Sequence, residues 1–386
     1  MNDPPVPLKD GIILHIAWVR WWSALAYHAL SLAGGMNAIG RRNLVAAPPG
    51  SPLEARAKEL DLAAPEWGGL ASARPDRLIE AIRALRRRAL AGSVVGVFVH
   101  TGAGHAAAAA AVRGTLAPLL RVRSEIRVPG GGPLQRWLYG RGTDRILLSG
   151  RFMEDELRRR LVVPPGKTRI LAAGIDCRRA GRVDQSAARA ALRERMQWPA
   201  GARVVGMLAR YSPVKGHRDL VEAARLVAAR HDDVRFLTAG PVGQVGREQV
   251  GRWVRDAGLA DRFAVLDAVS DPIDVAAGFD QAVIASRGSE SVCRSALEYM
   301  ALGLPVVATD VNVIPETVGD AGLLVPPADP AALAMAIGSL LDDPVRARRL
   351  SEAAARRVRE RFEIAETARE GVAILEEARE ERHATV

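Results

Sequence analysis

The sequence of 386 residues contains little cysteine, few aromatic residues and little lysine. Its two cysteines, Cys177 and Cys293, lie far apart and provide neither a disulfide framework nor a four-ligand zinc site. Aromatic residues make up 4% of the chain and hydrophobic residues 48%, so we expect cores of small aliphatic side chains. This composition excludes disordered, collagenous and fibrous proteins. The length suits two domains, and the two isolated cysteines fit a reducing compartment.

Residues 21–40 carry no formal charge, which is also a property of membrane-spanning helices. They include His28, Asn37 and the pair Gly34 and Gly35, which is unlike a spanning helix. No basic segment precedes them, so we expect no signal peptide. The segment predicts a buried helix that follows a strand, in a cytoplasmic protein.

Positive charge is concentrated in the first half of the chain. Residues 1–180 hold 27 Lys and Arg against 14 Asp and Glu, whereas residues 181–386 hold 27 against 30. A basic half favours nucleic acid, an anionic membrane surface or an acidic substrate as partner, although arginine-rich composition also follows from the base composition of a genome. Because no arginine-rich tail or interleaved aromatic pattern is present, we expect no nucleic-acid partner.

Short apolar runs alternate with helix-length segments in both halves of the sequence. The predicted strands are residues 12–17, 44–47, 94–99, 119–122, 146–148, 170–172, 204–208, 234–239, 263–266, 282–285 and 305–308. The predicted helices include residues 52–59, 75–89, 152–161, 218–230, 247–257, 291–301, 330–341 and 344–361.

Such alternation is typical of parallel sheets with helices on both faces. We expect an α/β protein of two doubly wound domains, residues 1–180 and 200–363, with a linker and a short helix over 181–199. Ligands of open parallel sheets bind at the carboxyl ends of the strands, so we expect a central cleft there.

Two carboxylates follow the strand that ends near residue 285. Glu290 and Glu298 are eight residues apart, or about 12 Å along a helix at 1.5 Å per residue. This is of the order of the span from a sugar to a ribose across a diphosphate. The amides of a first helical turn between them would favour the diphosphate. Two solvated helix carboxylates are the alternative interpretation.

Two cations follow the first strand of the second half. Arg210 and Lys215 come after residue 208, where that strand is predicted to end. Cations at this position can offset the charge that develops on a departing diphosphate. Lysine is scarce in this chain, with four residues among 54 basic ones, which makes Lys215 more informative.

These motifs resemble those of retaining glycosyltransferases of family 4, which have the GT-B fold of two facing Rossmann-like domains. The resemblance runs from about residue 143 to 362 and includes residues 323–330. It is closest to members that build lipopolysaccharide or other surface glycans. It implies that a last helix, within residues 364–386, returns to the first domain.

The resemblance implies roles for the motif residues. Arg210 and Lys215 would bind the donor diphosphate, Glu290 the donor sugar and Glu298 the ribose hydroxyls. His100, at the end of a first-domain strand, would touch the sugar or acceptor. His100, Glu290, Arg210 and Lys215 would form the catalytic set.

The remaining implied roles involve the backbone. The amides of Ser291 and Val292 would meet the distal phosphate, and Gly240 and residues 267–269 would border the base. Such enzymes need no metal and no cofactor beyond the nucleotide-sugar donor. The glycines that the family has after the first glutamate are replaced here by Ser291 and Cys293.

Several other residues have both a functional and a structural interpretation. His100 also fits local hydrogen bonding, and His28 and His105 are expected to be structural. Tryptophans 18, 21 and 22 suit sugar stacking, a lipid interface or helix packing. Arginines 121, 123 and 127 around Glu125 suit an anionic acceptor or a solvated edge with local ion pairs.

We therefore expect a metal-independent, hexosyltransferase-like enzyme that transfers a sugar from a nucleoside-diphosphate donor to a hydroxyl acceptor with retention, in lipopolysaccharide or surface-glycan synthesis. The basic first half predicts a lipid-linked or anionic glycan acceptor and peripheral association with the inner face of an anionic membrane. Two alternatives remain. A GT-B sugar-nucleotide epimerase shares the architecture, and the replaced glycines favour a degenerate nucleotide-sugar-binding protein without turnover.

Overall fold

The computed structural model describes residues 11–269 and 271–385, which form two α/β units. The first unit comprises residues up to Gly174 and the segment from Ile364, and the second comprises Ile175–Glu363. Each unit contains a sheet of six strands that pair in parallel. The prediction of two parallel-sheet α/β units is confirmed.

The first unit has strand order β2-β1-β3-β4-β5-β6. Its strands are β1 Ile12–Ile16, β2 Asn43–Ala46, β3 Val94–Val99, β4 Leu119–Arg123, β5 Arg145–Leu148 and β6 Thr168–Ile170. Its helices are α1 Ala24–Ala38, α2 Pro52–Glu59, α3 Pro75–Leu90, α4 His105–Val112, α5 Pro133–Gly140, α6 Glu154–Leu161 and, after the second unit, α16 Ile364–Thr385.

Both faces of the first sheet are buried. Along β1, Ile12, Leu14 and Ile16 pack into one hydrophobic core, whereas Ile13 packs into another that includes Leu375 of α16. Burial of both faces explains why the strands appear in the sequence as continuous apolar runs rather than as alternating ones.

The C-terminal helix α16 packs on the first unit at positions that lack a side chain. A Cβ at Gly96 of β3 would lie 2.4 Å from Leu375, and one at Gly35 of α1 would lie 2.8 Å from Ile364. Arg382 then forms a two-pronged ion pair with Asp144, each N–O distance being 2.8 Å. Small residues and several ion pairs, which also join Glu376, Glu377 and Glu381 to arginines of the first unit, thus fix this helix.

The second unit has strand order β12-β11-β10-β7-β8-β9. Its strands are β7 Arg203–Leu208, β8 Val234–Ala239, β9 Phe263–Leu266, β10 Gln281–Ile284, β11 Val306–Thr309 and β12 Leu323–Val325. Its helices are α7 Cys177–Gly181, α8 Gln185–Arg195, α9 His217–Ala228, α10 Arg247–Asp256, α11 Pro272–Ala276, α12 Arg294–Ala301, α13 Ile314–Val318, α14 Pro330–Asp342 and α15 Pro344–Arg361.

Residues 181–199, predicted as a linker, instead belong to the second unit. Arg193 of α8 is 7% exposed, donates from Nε to the Ala202 carbonyl at 2.8 Å and pairs with Asp280 at 2.6 Å. Leu192 fits against Gly278, where a Cβ would lie 2.7 Å from the leucine. These tertiary contacts are invisible in the charged local sequence, which explains the error.

Helices α14 and α15 begin at Asp-Pro pairs, as the sequence indicates. The Asp329 carboxylate accepts from the Ala332 amide at 2.9 Å, and Asp343 accepts from the Arg346 amide at 2.9 Å. Proline at the first helical position needs no amide partner. The preceding residues 323–325 form an edge strand that the sequence reading missed.

Candidate active site

The Lys215 loop packs directly on the end of β10. After β7 ends at Leu208, Pro213–Lys215 form a short 3-10 turn that is followed by Gly216 at φ +69°. A Cβ on Gly216 would lie 1.8 Å from the Ala285 carbonyl oxygen. Only glycine fits this position, and its presence brings Lys215 to the loop that follows β10.

Glu290 lies in the loop that follows β10, where its side chain, amide and carbonyl all form hydrogen bonds. Its side chain is buried, and Lys215 Nζ and Ser286 Oγ both donate to Glu290 Oε1. Its amide donates to Asn312 Oδ1 at 3.2 Å, and its carbonyl accepts from the Val313 amide at 3.2 Å. The structure therefore brings together the predicted residues Lys215 and Glu290.

An ion pair that the sequence analysis missed fastens the two loops. Arg287 Nε donates to Asp219 Oδ2 at 2.6 Å, and its terminal nitrogen donates to the other oxygen of Asp219. The Arg287 amide also donates to the Val214 carbonyl at 2.8 Å. No local signal marked this pair, because the partners are 68 residues apart.

Glu298 lies on α12 in a buried environment. Its carboxylate is paired with Arg294 of the same helix, with 2.6 Å between Arg294 Nε and Glu298 Oε1. Burial raises the pKa of Glu298 to about 7, although Arg294 opposes part of that rise. Arg294 thus contacts a predicted site residue.

Helix α12 begins three residues later than predicted. Ser289 and Cys293 both adopt left-handed backbone conformations, with φ values of +59° and +46°, and the helix starts at Arg294. Ser291 and Val292 therefore precede the first helical turn, and the Val292 side chain is buried. Burial also raises the pKa of the Cys293 thiol, which fits a packing role.

The loops after β7 and β8 lie against each other. A Cβ on Gly240 would lie 2.0 Å from the Ala209 carbonyl oxygen, and the Tyr211 amide donates to the Pro241 carbonyl at 2.9 Å. Between them Arg210 is exposed, and no ion pair joins it to a residue within 11–269 or 271–385. Gly240 is thus adjacent to Arg210 through the backbone.

His100 lies in the first unit, directly after β3. It is 1% exposed, and its Nε2 lies 3.0 Å from His15 Nδ1. Burial lowers its pKa well below the ordinary value, so the ring is neutral near pH 7. His105 donates to or accepts from Thr143 at 2.8 Å, in keeping with its predicted structural role.

Of the three arginines around Glu125, two are buried in local ion pairs and Arg127 is exposed. Arg121 and Arg123, at the end of β4, are 0% and 3% exposed, and both donate to Glu125 Oε2. Of the tryptophans, Trp21 is 64% exposed, whereas Arg56 stacks 4.3 Å over the ring of Trp22.

The described part of the chain was also considered for metal ligands and for membrane-spanning helices, and it contains neither. No group of three or more His, Cys, Asp or Glu residues there is arranged to hold a metal ion. Among the same residues, no helix combines the length and apolar character that crossing a membrane requires.

Comparison with known families gives a match within the second unit. The family described as "Glycosyl transferases group 1" matches residues 202–343, which include β7 to α14 and all the candidate residues of this unit. The second unit is therefore similar to this family over those residues.

Individual relatives agree with this class. A D-inositol 3-phosphate glycosyltransferase of Thermobispora bispora is 31% identical over 234 residues, covering 58% of this chain and 53% of that protein. The chain thus matches about half the length of that relative.

Solved structures match the fold along nearly the whole chain. A glycosyltransferase from Rickettsia africae gives a TM-score of 0.83 at 19% identity, covering 96% of this chain and 98% of that one. Anabaena HepE, solved with UDP and glucose, gives 0.77 at 17% identity, covering 95% and 100%. The predicted GT-B fold class is confirmed.

The raised pKa of Glu298 predicts a pH-dependent stability. The folded chain binds this proton more tightly than the unfolded chain, so the stability gained is fully present below about pH 4.5 and is lost as pH rises through about 7. Glu298→Gln, which stays neutral, should remove that part of the loss of urea-unfolding free energy between about pH 5 and pH 8.

Glu222→Gln is the matched control, because Glu222 is exposed and Arg225 lowers its pKa. That substitution should leave the slope over the same pH range unchanged. Identical slopes for the wild type and Glu298→Gln would contradict the assignment.

Proposed function

We propose that the chain is a glycosyltransferase that moves a sugar from a nucleoside-diphosphate donor to a hydroxyl acceptor, with the donor held by the second unit. The main supporting observation is the contact of Lys215 with the buried Glu290 at the strand ends of a unit that matches group 1 glycosyl transferases. An ammonium group held by a carboxylate at a ligand-binding edge is suited to a substrate that combines phosphates with hydroxyls.

The charges of the site suit departure of a diphosphate. Lys215 and the exposed Arg210 supply two cations on one loop, where they offset the negative charge that develops as the sugar–phosphate bond breaks. Glu290, held by Lys215 and Ser286, presents a fixed carboxylate to the hydroxyls of the donor sugar. Holding these charges in place before the reaction lowers the cost of reorganisation.

The Glu298 carboxylate is suited to binding the ribose hydroxyls of the donor. Its ionised form accepts hydrogen bonds from two neighbouring hydroxyls, and Arg294 favours that form. We assign the base to the neighbourhood of Gly240 and the distal phosphate to the backbone of Ser291 and Val292. His100, in the first unit, is assigned to a hydroxyl of the sugar or acceptor.

The finer properties follow from the resemblance to family 4 enzymes. We propose a hexose donor, transfer with retention, independence of metal and a role in lipopolysaccharide or surface-glycan synthesis. The anomeric configuration of the product, read by NMR, tests retention. An unchanged rate in EDTA supports metal independence, and a lost rate restored by a divalent cation contradicts it.

Donor binding should depend on Lys215 and Glu298. We expect calorimetry with UDP, GDP, ADP, CMP and dTDP to find one preferred nucleoside diphosphate, and Lys215→Ala to weaken its affinity by about tenfold or more through loss of a charge-assisted hydrogen bond. Glu298→Ala should weaken the affinity similarly. Arg225→Ala, which removes an exposed cation of α9 that pairs with Glu222, is the control and should have no effect.

The outcome also separates the alternatives. Selective binding followed by transfer of labelled sugar supports the proposal. Binding without turnover favours a degenerate binding protein, and conversion of the free donor to an epimer favours an epimerase. Absence of binding to every compound would contradict a nucleotide-sugar enzyme altogether.

We further propose that the acceptor is anionic or lipid-linked and that the cytoplasmic enzyme associates with an anionic membrane surface. The excess of basic residues in the first half supports this, as does the phosphorylated acceptor in the name of the Thermobispora relative. On α5, Leu134 and Trp137 are 67% and 39% exposed and flank the exposed Arg136. Arginine beside exposed tryptophan and leucine suits a lipid interface.

Vesicle sedimentation tests the membrane proposal. At low salt, more protein should sediment with anionic than with zwitterionic vesicles, and salt should reduce the difference. Leu134→Ser with Trp137→Ser should weaken sedimentation, whereas Met335→Ser with Val345→Ser, at exposed apolar sites of the second unit, should not. Equal sedimentation with both lipids would contradict the proposal.

A further inference from the structure

Three histidines lie buried together in the first unit. His15 of β1, His28 of α1 and His100 after β3 are at most 1% exposed. A neighbouring strand, β2, contributes Asn43, which is also buried. Four hydrogen-bonding side chains in an apolar interior are costly unless their donors and acceptors are matched.

The direction of the hydrogen bonds is fixed at Asn43. Its Nδ2 lies 2.7 Å from the Arg41 carbonyl oxygen, which can only accept. Asn43 Oδ1 therefore faces His15 Nε2, at 3.0 Å, and His15 Nε2 must carry the proton. Because His15 is neutral, its Nδ1 is an acceptor.

The same reasoning continues to His100. His15 Nδ1 lies 3.0 Å from His100 Nε2, so His100 Nε2 must donate. Burial lowers the pKa of His100, which therefore carries one proton, on Nε2. His100 Nδ1 therefore carries no proton and can only accept a hydrogen bond.

The rings are also fixed in orientation. The His15 ring is nearly parallel to that of Phe98, at a centroid distance of 4.9 Å, and lies edge to edge with His100, at 5.2 Å, as their hydrogen bond requires. His28 meets His100 edge-on at 6.2 Å and is held by Ser124, 2.9 Å from its Nδ1. Rotation of His100 would break its hydrogen bond with His15.

Two ring nitrogens of this cluster, His28 Nε2 and His100 Nδ1, have no hydrogen-bond partner within residues 11–269 and 271–385. His28 Nε2 is enclosed. His100 comes directly after β3, at the carboxyl end of a parallel strand, which is the edge where ligands of open parallel sheets bind. An unpaired acceptor at this edge is available to a ligand that donates a hydrogen bond.

We propose that Asn43 and His15 are positioning residues that hold His100 in the Nε2-protonated tautomer, so that its Nδ1 accepts a hydrogen bond from a hydroxyl of the sugar or acceptor. Carboxylate oxygens, which only accept at neutral pH, are disfavoured at this atom. This inference rests on the proposed function for its substrate, whereas the tautomer is a property of the protein alone.

The tautomer can be read without any substrate. In protein labelled with 15N-histidine, two-bond correlation spectra should show Nε2 protonated and Nδ1 unprotonated in both His15 and His100. His100→Gln and His15→Gln assign the signals, and His105→Gln, at a buried histidine outside the chain of hydrogen bonds, should leave them in place. A protonated Nδ1 on His100 would overturn the inference even if the enzyme transfers sugar.

Substitutions at Asn43 test the relay itself. Asn43→Leu removes the acceptor, so the His15 and His100 signals should shift toward the other tautomer. Asn43→Asp keeps an acceptor oxygen and should preserve them. Unchanged signals in Asn43→Leu would overturn the positioning role.

Activity and ligand titrations test the consequence. If the chain is an active transferase, Asn43→Leu should lower kcat/KM by about tenfold or more, which is a typical loss when a residue that orients a functional side chain is replaced. Asn43→Asp should restore much of that activity. Glucose or inositol should shift the His100 Nδ1 signal, and acetate, whose carboxylate carries no proton at neutral pH, should not. A response to acetate alone, or to neither glucose nor inositol, would overturn the ligand assignment.

Discussion

The contact between Lys215 and Glu290 is the interaction on which the candidate donor site depends. It exists because Gly216, at positive φ, lets the Lys215 loop approach the end of β10, where no larger residue fits. The ion pair of Arg287 with Asp219, in the first turn of α9, also links the loop after β10 to the segment that follows Lys215. The site is thus a property of backbone packing between adjacent parallel strands, to which the charged side chains are added.

Much of this unit could be predicted because its signals are local. Short apolar runs marked the strands, and the order of Arg210, Lys215, Glu290 and Glu298 marked the site. The start of α12 could not be predicted, because the left-handed conformation of Cys293 depends on how the loop packs. For the same reason the sequence predicted a short helix over 181–199 but not its packing on the second unit, since the anchor of α8, Asp280, lies 87 residues from Arg193.

The first unit shows the limit of sequence reasoning more clearly. Arg121 and Arg123 suggested a charged edge, yet both are buried around one carboxylate at the end of β4. His100 was noticed at a strand end, but His15 and Asn43 come from other strands and share no motif with it. Only the order of strands β2, β1 and β3 brings these three residues into one line of hydrogen bonds.

A crystal structure with the preferred nucleoside-diphosphate sugar tests the central claim most directly. The account predicts diphosphate oxygens within hydrogen-bond distance of Lys215 Nζ, ribose hydroxyls on the Glu298 carboxylate and sugar hydroxyls on Glu290. A donor bound away from these three side chains, with Lys215 still paired to Glu290 alone, would contradict it.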